Sequence, residues 1–254
     1  MQLPDITQKD IETSLRQLGI QEGDALEVHS SLSSFGFVEG GAMSVIDALM
    51  QVVGPQGTII MSAYPVSPPI PLSEEEQARG ITWKVRIFDE DSDEPSGIGV
   101  VSDTFRKMPG VLCGSGLHRV SAWGREAEQH SRGYRHLVEV DGWVLLLGVG
   151  IDRCSSMHLA EETIRLPESI VAVFTPPPDI RRGYDPSLWD VGYGSTPDDA
   201  WMKVYNEADR RGLIKHQRIG HADCLFFKAR SVISIYEHWL RTDPFGLFGL
   251  AQPY

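Results

Sequence analysis

The hydrophobic and polar positions along this chain follow two periods, one typical of helices and one typical of strands. Apolar residues recur at helical spacing over 7–18 and again over 41–53, and each run stops at a glycine. Because helical and strand patterns alternate along the chain, we predict an α/β fold with a central mostly parallel or mixed sheet flanked by helices. The predicted strands are 24–29, 58–61, 143–147 and 223–227.

Two stretches of the chain show neither the helical nor the strand period. Residues 66–96 are irregular and rich in proline and acidic side chains, so we predict a long loop or lid there. Residues 176–195 follow a run of prolines and read as a loop-rich insertion. We expect one domain over 1–254, with these loops forming a loop-rich subdomain that binds the substrate. Further helices are predicted at 99–107, 196–211 and 229–240.

Charge and length exclude several classes of protein. The formal net charge of the 254 residues is -12, and an acidic surface repels phosphate backbones, so we expect no nucleic-acid partner. No apolar run is long enough to span a bilayer, and the first residues lack the pattern of a signal peptide, so we expect a cytoplasmic enzyme without a membrane partner. Three scattered cysteines are too few for a disulfide framework or a zinc knuckle.

The most informative stretch follows the predicted strand 143–147. Its glycine turn leads into a predicted helix for which Ser155 or Ser156 is the expected N-cap. On that helix His158 and Glu161 are three residues apart, so their side chains share one face. The helix N-terminus disfavours the imidazolium ion, while the carboxylate fixes one tautomer and stabilises the cation once it forms. This arrangement suits a general base.

Two other interpretations of this stretch remain open on the sequence. A histidine and a glutamate at this spacing are also typical of an ordinary surface pair or a buried core histidine. The segment resembles the inverted zinc signature H-x-x-E-H as well, but Glu162 stands where the second histidine belongs. The lost imidazole weakens the zinc interpretation, and we expect no metal.

Residues 148–162 closely resemble the signature G-V-G-x-D-x-N-T-S-L-H-L-A-E of the aminoglycoside 3-N-acetyltransferase family. Each of four further blocks is weak evidence alone, but all four occur in the order that the family has. Together the five blocks extend over nearly the whole chain. The further blocks are 28–36, 53–61, 88–106 and 219–222.

The resemblance implies an acetyltransferase that moves an acetyl group from acetyl-CoA to the 3-amino group of an aminoglycoside antibiotic. His158 would act as the general base and Glu161 as its supporting carboxylate, in a direct attack without a covalent enzyme intermediate. Backbone N–H groups near Ser31 or before His158 are candidates for the oxyanion hole. The residues that the resemblance assigns to coenzyme A are Ser30, Ser31, Phe35, Gly36, Val100 and Ser102.

The acceptor is less well defined, because the chain departs from the family pattern. In 115–124 one histidine, a proline and a threonine of the family are missing, His118 aligns with the remaining histidine, and Arg119 replaces a small residue. A cationic amino sugar needs carboxylates around it, and the acidic run 89–94 is one source of them. The acceptor-site candidates are Asp152, Glu162, Asp179, Asp185 and His118.

Several alternatives stay open at this point. The same chemistry could serve another amine, and Arg119 would then favour an acceptor that carries an anion. A covalent route through Cys154 or Cys113 is conceivable, because a thiolate beside histidine is a good nucleophile. Two further alternatives are a non-catalytic protein that binds coenzyme A or an amine, and a zinc hydrolase. A homodimer is also compatible with the sequence.

Overall fold

Three parallel strands form the centre of the molecule. In the computed structural model, which describes residues 6–193 and 198–252, strand β1 (Ala25–Ser30) lies between β2 (Thr58–Ser62) and β6 (Trp143–Leu147). Nearly every side chain of these strands is buried, because helices cover both faces of the sheet. All three predicted strands are therefore present within one residue of the expected bounds.

Antiparallel strands extend this centre on both sides into a mixed seven-stranded sheet, as predicted. The order across the sheet is β4-β5-β2-β1-β6-β9-β8. β5 runs antiparallel to β2, and β9 runs antiparallel to β6. The outer strands are β4 (Leu112–Cys113), β5 (Val120–Gly124), β8 (Lys215–Ile219) and β9 (Ala222–Lys228).

Helices pack on both faces and enclose one hydrophobic core on each. On one face α1 packs against α2 and α2 against α4, around residues such as Ile11 and Leu49. On the other face α10 and α11 enclose Val204 and Tyr236. The helices are α1 (Gln8–Leu18), α2 (Gly41–Val53), α3 (Glu74–Ala78), α4 (Val100–Phe105), α5 (Ala127–His130), α6 (Arg135–Glu139), α7 (His158–Thr163), α8 (Glu168–Phe174), α9 (Pro178–Arg182), α10 (Asp198–Arg210), α11 (Ala229–Thr242) and α12 (Pro244–Phe248).

The two stretches predicted as irregular contain a second, smaller sheet. Strand β3 (Ile81–Arg86) from the first stretch pairs antiparallel with β7 (Trp189–Tyr193) from the second. The prediction of loops alone was wrong here, because each strand finds its partner about a hundred residues away in sequence. On α3, Glu76 binds both Lys84 of β3 and Tyr184, and this contact connects β3 to the segment that precedes β7.

The start of the helix that carries His158 also differs from the prediction. Residues 151–153 and 155–157 form two 3₁₀ turns, and α7 begins only at His158 without a side-chain cap. Ser155 and Ser156 are therefore not N-caps, because their hydroxyls bind other side chains. The predicted first residues of helix α10, Thr196 and Pro197, lie outside the described residues. Within the described ranges no helix is long and apolar enough to cross a membrane.

Candidate active site

A large cavity lies at the carboxyl ends of the three parallel strands. Its volume is about 1290 Å³, and it is lined by Ser30 at the end of β1, Ser62 at the end of β2 and Gly148 just after β6. β1 continues through α2 to β2 on one side, whereas β6 lies on its other side. Ligands of open α/β sheets bind at such a switch in strand order. The cavity exceeds the usual range for one small ligand, about 300–1,000 Å³, so it has room for two substrates.

The turn after β6 directs the chain into this cavity. Gly148 has a φ of 69°, and a Cβ on it would lie 2.5 Å from the Cβ of Ser34. Glycine is therefore required both by the backbone conformation and by the close approach. The Ser34 hydroxyl donates to the carbonyl of Gly148 at 3.0 Å, which fixes the turn on the loop after β1. The two 3₁₀ turns that follow bring His158 to the cavity wall.

His158 forms part of a hydrogen-bonded chain of three side chains. Its Nδ1 lies 2.9 Å from Oε2 of Glu161, and Oε1 of Glu161 accepts a hydrogen bond of 2.6 Å from the hydroxyl of Tyr236. The His158 ring also packs edge-on against Trp201, with centroids 4.9 Å apart. Because Glu161 engages Nδ1, the other ring nitrogen, Nε2, is left for a ligand. The predicted contact between His158 and Glu161 is confirmed, whereas Tyr236 and Trp201 were missed.

The electrostatic environment favours the charged form of His158. Desolvation by the surrounding protein lowers the pKa of His158, but the hydrogen bond with Glu161 and the negative charges of Glu161, Glu162 and Glu27 outweigh it. The net pKa is therefore raised above the ordinary histidine value. The carboxylates thus dominate over the helix N-terminus, which was expected to disfavour the cation. Burial raises the pKa of Tyr236, so its hydroxyl stays protonated as a donor to Glu161.

A second histidine–carboxylate pair lies beneath the cavity, on the central strand. Glu27 is fully buried, and its Oε1 lies 2.7 Å from Nε2 of His29, which lines the cavity. The same oxygen accepts a hydrogen bond of 3.0 Å from the backbone N–H of Ser156. The pair therefore connects β1 to the turn that precedes His158. The sequence carried a signal for it, because two ionisable residues in a central parallel strand are unusual.

Hydroxyl groups form a polar wall between these two pairs. Ser62 Oγ lies 2.7 Å from the hydroxyl of Tyr134 and 3.1 Å from Oγ of Ser155. The hydroxyl of Tyr64 donates to Ser155 at 3.2 Å. Ser62, Tyr64 and Ser155 all line the cavity and can bind polar groups of a substrate.

The residues predicted to bind coenzyme A separate into two groups. Phe35 is not at the surface of the cavity: its ring is fully buried in the core, and its carbonyl accepts from the N–H of His221. An aromatic side chain in this position contributes to packing, and the prediction for Phe35 is corrected accordingly. The residues of the set that line the cavity are Ser30, Ser31, Gly36, Val100 and Ser102.

Of the predicted acceptor residues, the structure places Asp152 alone in the cavity lining. Glu162 points outward and forms an ion pair with Arg135 at 3.1 Å. Asp185 binds its own neighbour Ser187, and Asp179 lies in the first turn of α9. These three were chosen from sequence position alone, which carries no information on direction. His118 is a neighbour of the lining, because its ring stacks edge-on with that of Tyr64 at 5.3 Å.

Arg119 is bound within the protein, and one of its partners, Glu90, belongs to the acidic run 89–94. The buried Arg119 guanidinium donates to the carbonyls of Ala63 and Glu90, at 2.8 and 2.6 Å. The Glu90 carboxylate accepts from the backbone of Gly116, and Glu94 forms an ion pair with Arg86. Arg119 is therefore a structural cation, and it does not favour an anionic acceptor as the sequence suggested.

Neither candidate cysteine is prepared to act as a nucleophile. Burial and the negative charge of Glu27 raise the pKa of Cys154 well above the ordinary thiol value, so it remains a thiol at neutral pH. Burial also raises the pKa of Cys113. Neither side chain lines the cavity. The geometry opposes the covalent route.

Three of the backbone N–H groups near Ser31 and before His158 already have acceptors. The N–H of Ser31 donates to Leu147, that of Ser156 to Glu27, and that of Met157 to Cys154. These three groups are therefore not available as oxyanion donors. In the described part of the chain, the three-residue group of metal-ligating side chains does not include His158.

The fold and the site together define an α/β enzyme with a histidine–carboxylate pair in a large strand-edge cavity. Residues 28–241 match the model of the family described as aminoglycoside 3-N-acetyltransferase. The chain belongs to this family, and it is an enzyme of the acyltransferase class.

Curated relatives resemble the chain over most of its length. It is 29% identical to aminoglycoside N(3)-acetyltransferase IV from Salmonella sp, over 91% of this chain and 85% of that protein. It is 28% identical to the aminoglycoside N(3')-acetyltransferase-like protein YokD of Bacillus subtilis, over 92% of both chains. These names describe the relatives.

Solved structures share the fold. The apoenzyme of aminoglycoside acetyltransferase AAC(3)-IVa superposes with a TM-score of 0.72 at 24% identity, covering 99% of this chain and 93% of that one. A binary complex of AAC-IIIb with CoASH gives a TM-score of 0.69 at 21% identity, covering 99% of this chain and 100% of that one. At these identities the likeness establishes the architecture.

Proposed function

We propose that this enzyme transfers the acetyl group of acetyl-CoA to an amino group of an aminoglycoside-type amino sugar, with His158 as the general base. The hydrogen-bonded chain from His158 through Glu161 to Tyr236 at the cavity wall is the observation that carries the proposal. Family membership supports the acyl-transfer chemistry, and the complex of a relative with CoASH supports the cosubstrate. Transfer to the 3-amino group follows the names of the relatives.

The reaction needs a base because an ammonium group cannot attack a thioester. Nε2 of His158 takes one proton from the acceptor, and Glu161 stabilises the imidazolium that results. The free amine then forms a bond to the acetyl carbon, and the bond between that carbon and the coenzyme A sulfur breaks. Of the two protons that the ammonium loses, one ends on the sulfur and the other in solvent.

The cavity lining suggests how the two substrates would share the space. Ser30, Ser31 and Gly36 lie at the end of β1 and in the segment after it, and the exposed apolar side chain of Val100 lines the same cavity. We propose this side for the pantetheine arm of acetyl-CoA. The side formed by Asp152 and the hydroxyls around Tyr64 would receive the amino sugar, because ammonium and hydroxyl groups need such partners.

The test measures free-thiol release from acetyl-CoA with a panel of aminoglycosides and identifies products by mass. His158→Ala should lower turnover by about 10²- to 10⁴-fold and leave the affinity for coenzyme A nearly unchanged. The matched control is His216→Ala, because His216 also pairs with a carboxylate, Asp209, at 2.7 Å but lies outside the cavity lining. Full activity of His158→Ala at neutral pH would refute the base assignment.

One observation favours a second candidate function, acetylation of an amine that also carries an anionic group. Asp152 is paired with Arg153 at 3.0 Å, and Arg153 also lines the cavity. An acceptor with several ammonium groups would therefore meet little uncompensated negative charge. The acceptor panel of the thiol-release assay should also include amines that carry an anionic group. A higher kcat/KM for these amines than for any aminoglycoside would support this second candidate function.

A further inference from the structure

A group of metal-ligating side chains lies at α5 and α6, apart from the residues that line the cavity. Glu126, His130 and His136 each direct one ligand atom to a common point, with all three atoms within 4.8 Å of one another. Glu126 immediately precedes α5, His130 ends it, and His136 lies in α6. The imidazole rings of His130 and His136 are neighbours, with centroids 4.7 Å apart and planes tilted by 54°.

His130 has a buried polar side chain without a partner. Its exposed fraction is 0%, and neither ring nitrogen has a hydrogen bond among the described residues. A buried nitrogen that lacks a partner loses its hydrogen bonds to water without replacement, so such groups call for an explanation.

The second histidine is held in the orientation that a metal ligand needs. Nδ1 of His136 lies 3.0 Å from Oε2 of Glu139, so that nitrogen carries the proton and donates it. Nε2 is then the acceptor nitrogen; it is buried without a hydrogen bond and lies 3.4 Å from Oε2 of Glu126. A carboxylate behind a ligating imidazole is the usual support in zinc sites.

We propose that Glu126, His130 and His136 bind one Zn²⁺ ion, with Glu139 as the supporting carboxylate. Two imidazoles and one carboxylate are a ligand set that zinc accepts, with a fourth position left for water. Tetrahedral bonds of about 2.1 Å place neighbouring ligand atoms about 3.4 Å apart. The distance between Glu126 and His136 already has this value, and the other distances between ligand atoms are at most 4.8 Å.

The position of the site indicates a structural role. The three ligands bridge α5, the turn after it and α6, and none of them lines the cavity. Tyr134 lies in the same turn, and its hydroxyl contacts Ser62 at the cavity wall. A zinc ion would therefore hold this turn in place, and its binding free energy would add to the stability of the fold.

The experiment titrates Zn²⁺ into chelator-treated full-length protein, and measures bound zinc after gel filtration together with the melting temperature. Wild type should bind one equivalent and melt at a higher temperature with zinc. Glu126→Gln and His136→Gln should each lose the bound zinc and the shift. Glu139→Gln should keep the site but weaken zinc affinity by about 10- to 100-fold.

The control is His216→Gln, which alters the histidine–carboxylate pair of His216 and Asp209 elsewhere on the surface. It should bind zinc as wild type does. Glu126 and Glu139 are partly exposed, so their variants should fold even if His136→Gln does not. Wild type without an equivalent of zinc, or equal uptake by wild type and Glu126→Gln, would overturn the proposal.

Discussion

The orientation of one imidazole ring depends on residues from three parts of the chain. Glu161 fixes His158 from within the same helix, and Tyr236 from α11 occupies the second oxygen of Glu161. The edge of the His158 ring meets Trp201 of α10. With both carboxylate oxygens engaged, Glu161 cannot rotate away, so Nε2 of His158 keeps a constant direction.

The raised pKa of His158 leads to a prediction about pH. In the proposed mechanism the neutral ring of His158 is the base, so kcat/KM should fall as pH drops through the His158 pKa. Glu161→Gln removes the hydrogen bond to the cation and the charge that raise this pKa. The acidic limb of the kcat/KM profile should then move to lower pH. The kcat/KM plateau at higher pH should fall by about 10²- to 10⁴-fold.

The control for this prediction is Glu162→Gln, which changes the adjacent carboxylate. Glu162 is paired with Arg135 and makes a smaller contribution to the His158 pKa. Glu162→Gln should shift the acidic limb of the kcat/KM profile less than Glu161→Gln does, and it should retain most of the kcat/KM value at the plateau. An acidic limb that stays in place in Glu161→Gln would contradict the assignment of that limb to His158.

Glu27 provides a second prediction at the residue scale. Glu27→Ala would leave the N–H of Ser156 and the ring of His29 without their buried partner. Removing one member of a buried hydrogen-bonded pair costs about 3–5 kcal/mol. Urea unfolding should show a loss of this order, whereas Glu128→Ala, at an exposed pair with Arg132, should change stability by less than about 1 kcal/mol. Equal losses of unfolding free energy in Glu27→Ala and Glu128→Ala would show that the buried pair does not stabilise the protein more than an exposed one.

At the scale of elements, the small sheet of β3 and β7 forms a wall of the cavity. Trp83 of β3 lies opposite Gly192 of β7 and also lines the cavity. A Cβ at position 192 would lie 1.8 Å from the Trp83 indole nitrogen, so the ring covers the glycine closely. Next to this sheet, Glu76 of α3 binds Lys84 of β3 and Tyr184. This contact favours the ionised form of Glu76, and the hydrogen bond from Lys84 is the main reason that its pKa falls to about 2.

Trp83→Ala should therefore change substrate binding more than chemistry. The variant loses an exposed aromatic surface of the cavity, so we expect a higher KM for one of the two substrates and an unchanged kcat with saturating substrate. Val140→Ala removes an equally exposed apolar side chain outside the cavity and should leave both constants unchanged. Steady-state kinetics with each substrate varied in turn would show which one contacts Trp83, and wild-type KM values for both would exclude the contact.

Local signals in the sequence predicted the elements that depend on local patterns. The apolar runs of β1, β2 and β6 and the capped helix α1 needed no knowledge of distant partners. β3 and β7 were missed because each is short, half polar and paired across a long separation. The same reason applies to the site: the three-residue spacing revealed His158 and Glu161, whereas Tyr236 is 75 residues from Glu161. Glu27 and His29 looked like the polar face of a half-exposed strand, although helices cover both faces.

At the scale of the whole molecule, the cavity joins the two halves of the fold. It is lined by the loop after β1, by residues before α4 and by α7, which belong to different helical layers. A ligand that fills it should therefore stabilise the entire structure. Coenzyme A at about 100 times its dissociation constant should add about 2.7 kcal/mol to the free energy of unfolding.

Thermal unfolding with increasing coenzyme A would measure this effect. His158→Ala should show the same stabilisation as wild type, because the proposed cofactor side lies at the end of β1. Replacing Val100 with aspartate should reduce it, since the charge would face the apolar part of the pantetheine arm. A melting temperature that does not depend on coenzyme A would contradict the proposed binding side.

The separation of β3 and β7 from the central sheet has an evolutionary consequence. His158, Glu161 and Glu27 belong to the strands and helices of the main body, whereas Trp83 is carried by a two-stranded appendage. Mutations in that appendage can reshape one wall of the cavity without disturbing the buried pairs or the core. A few changes in two short strands can thus alter which molecules the cavity accepts, while the groups around His158 and Glu27 stay in place.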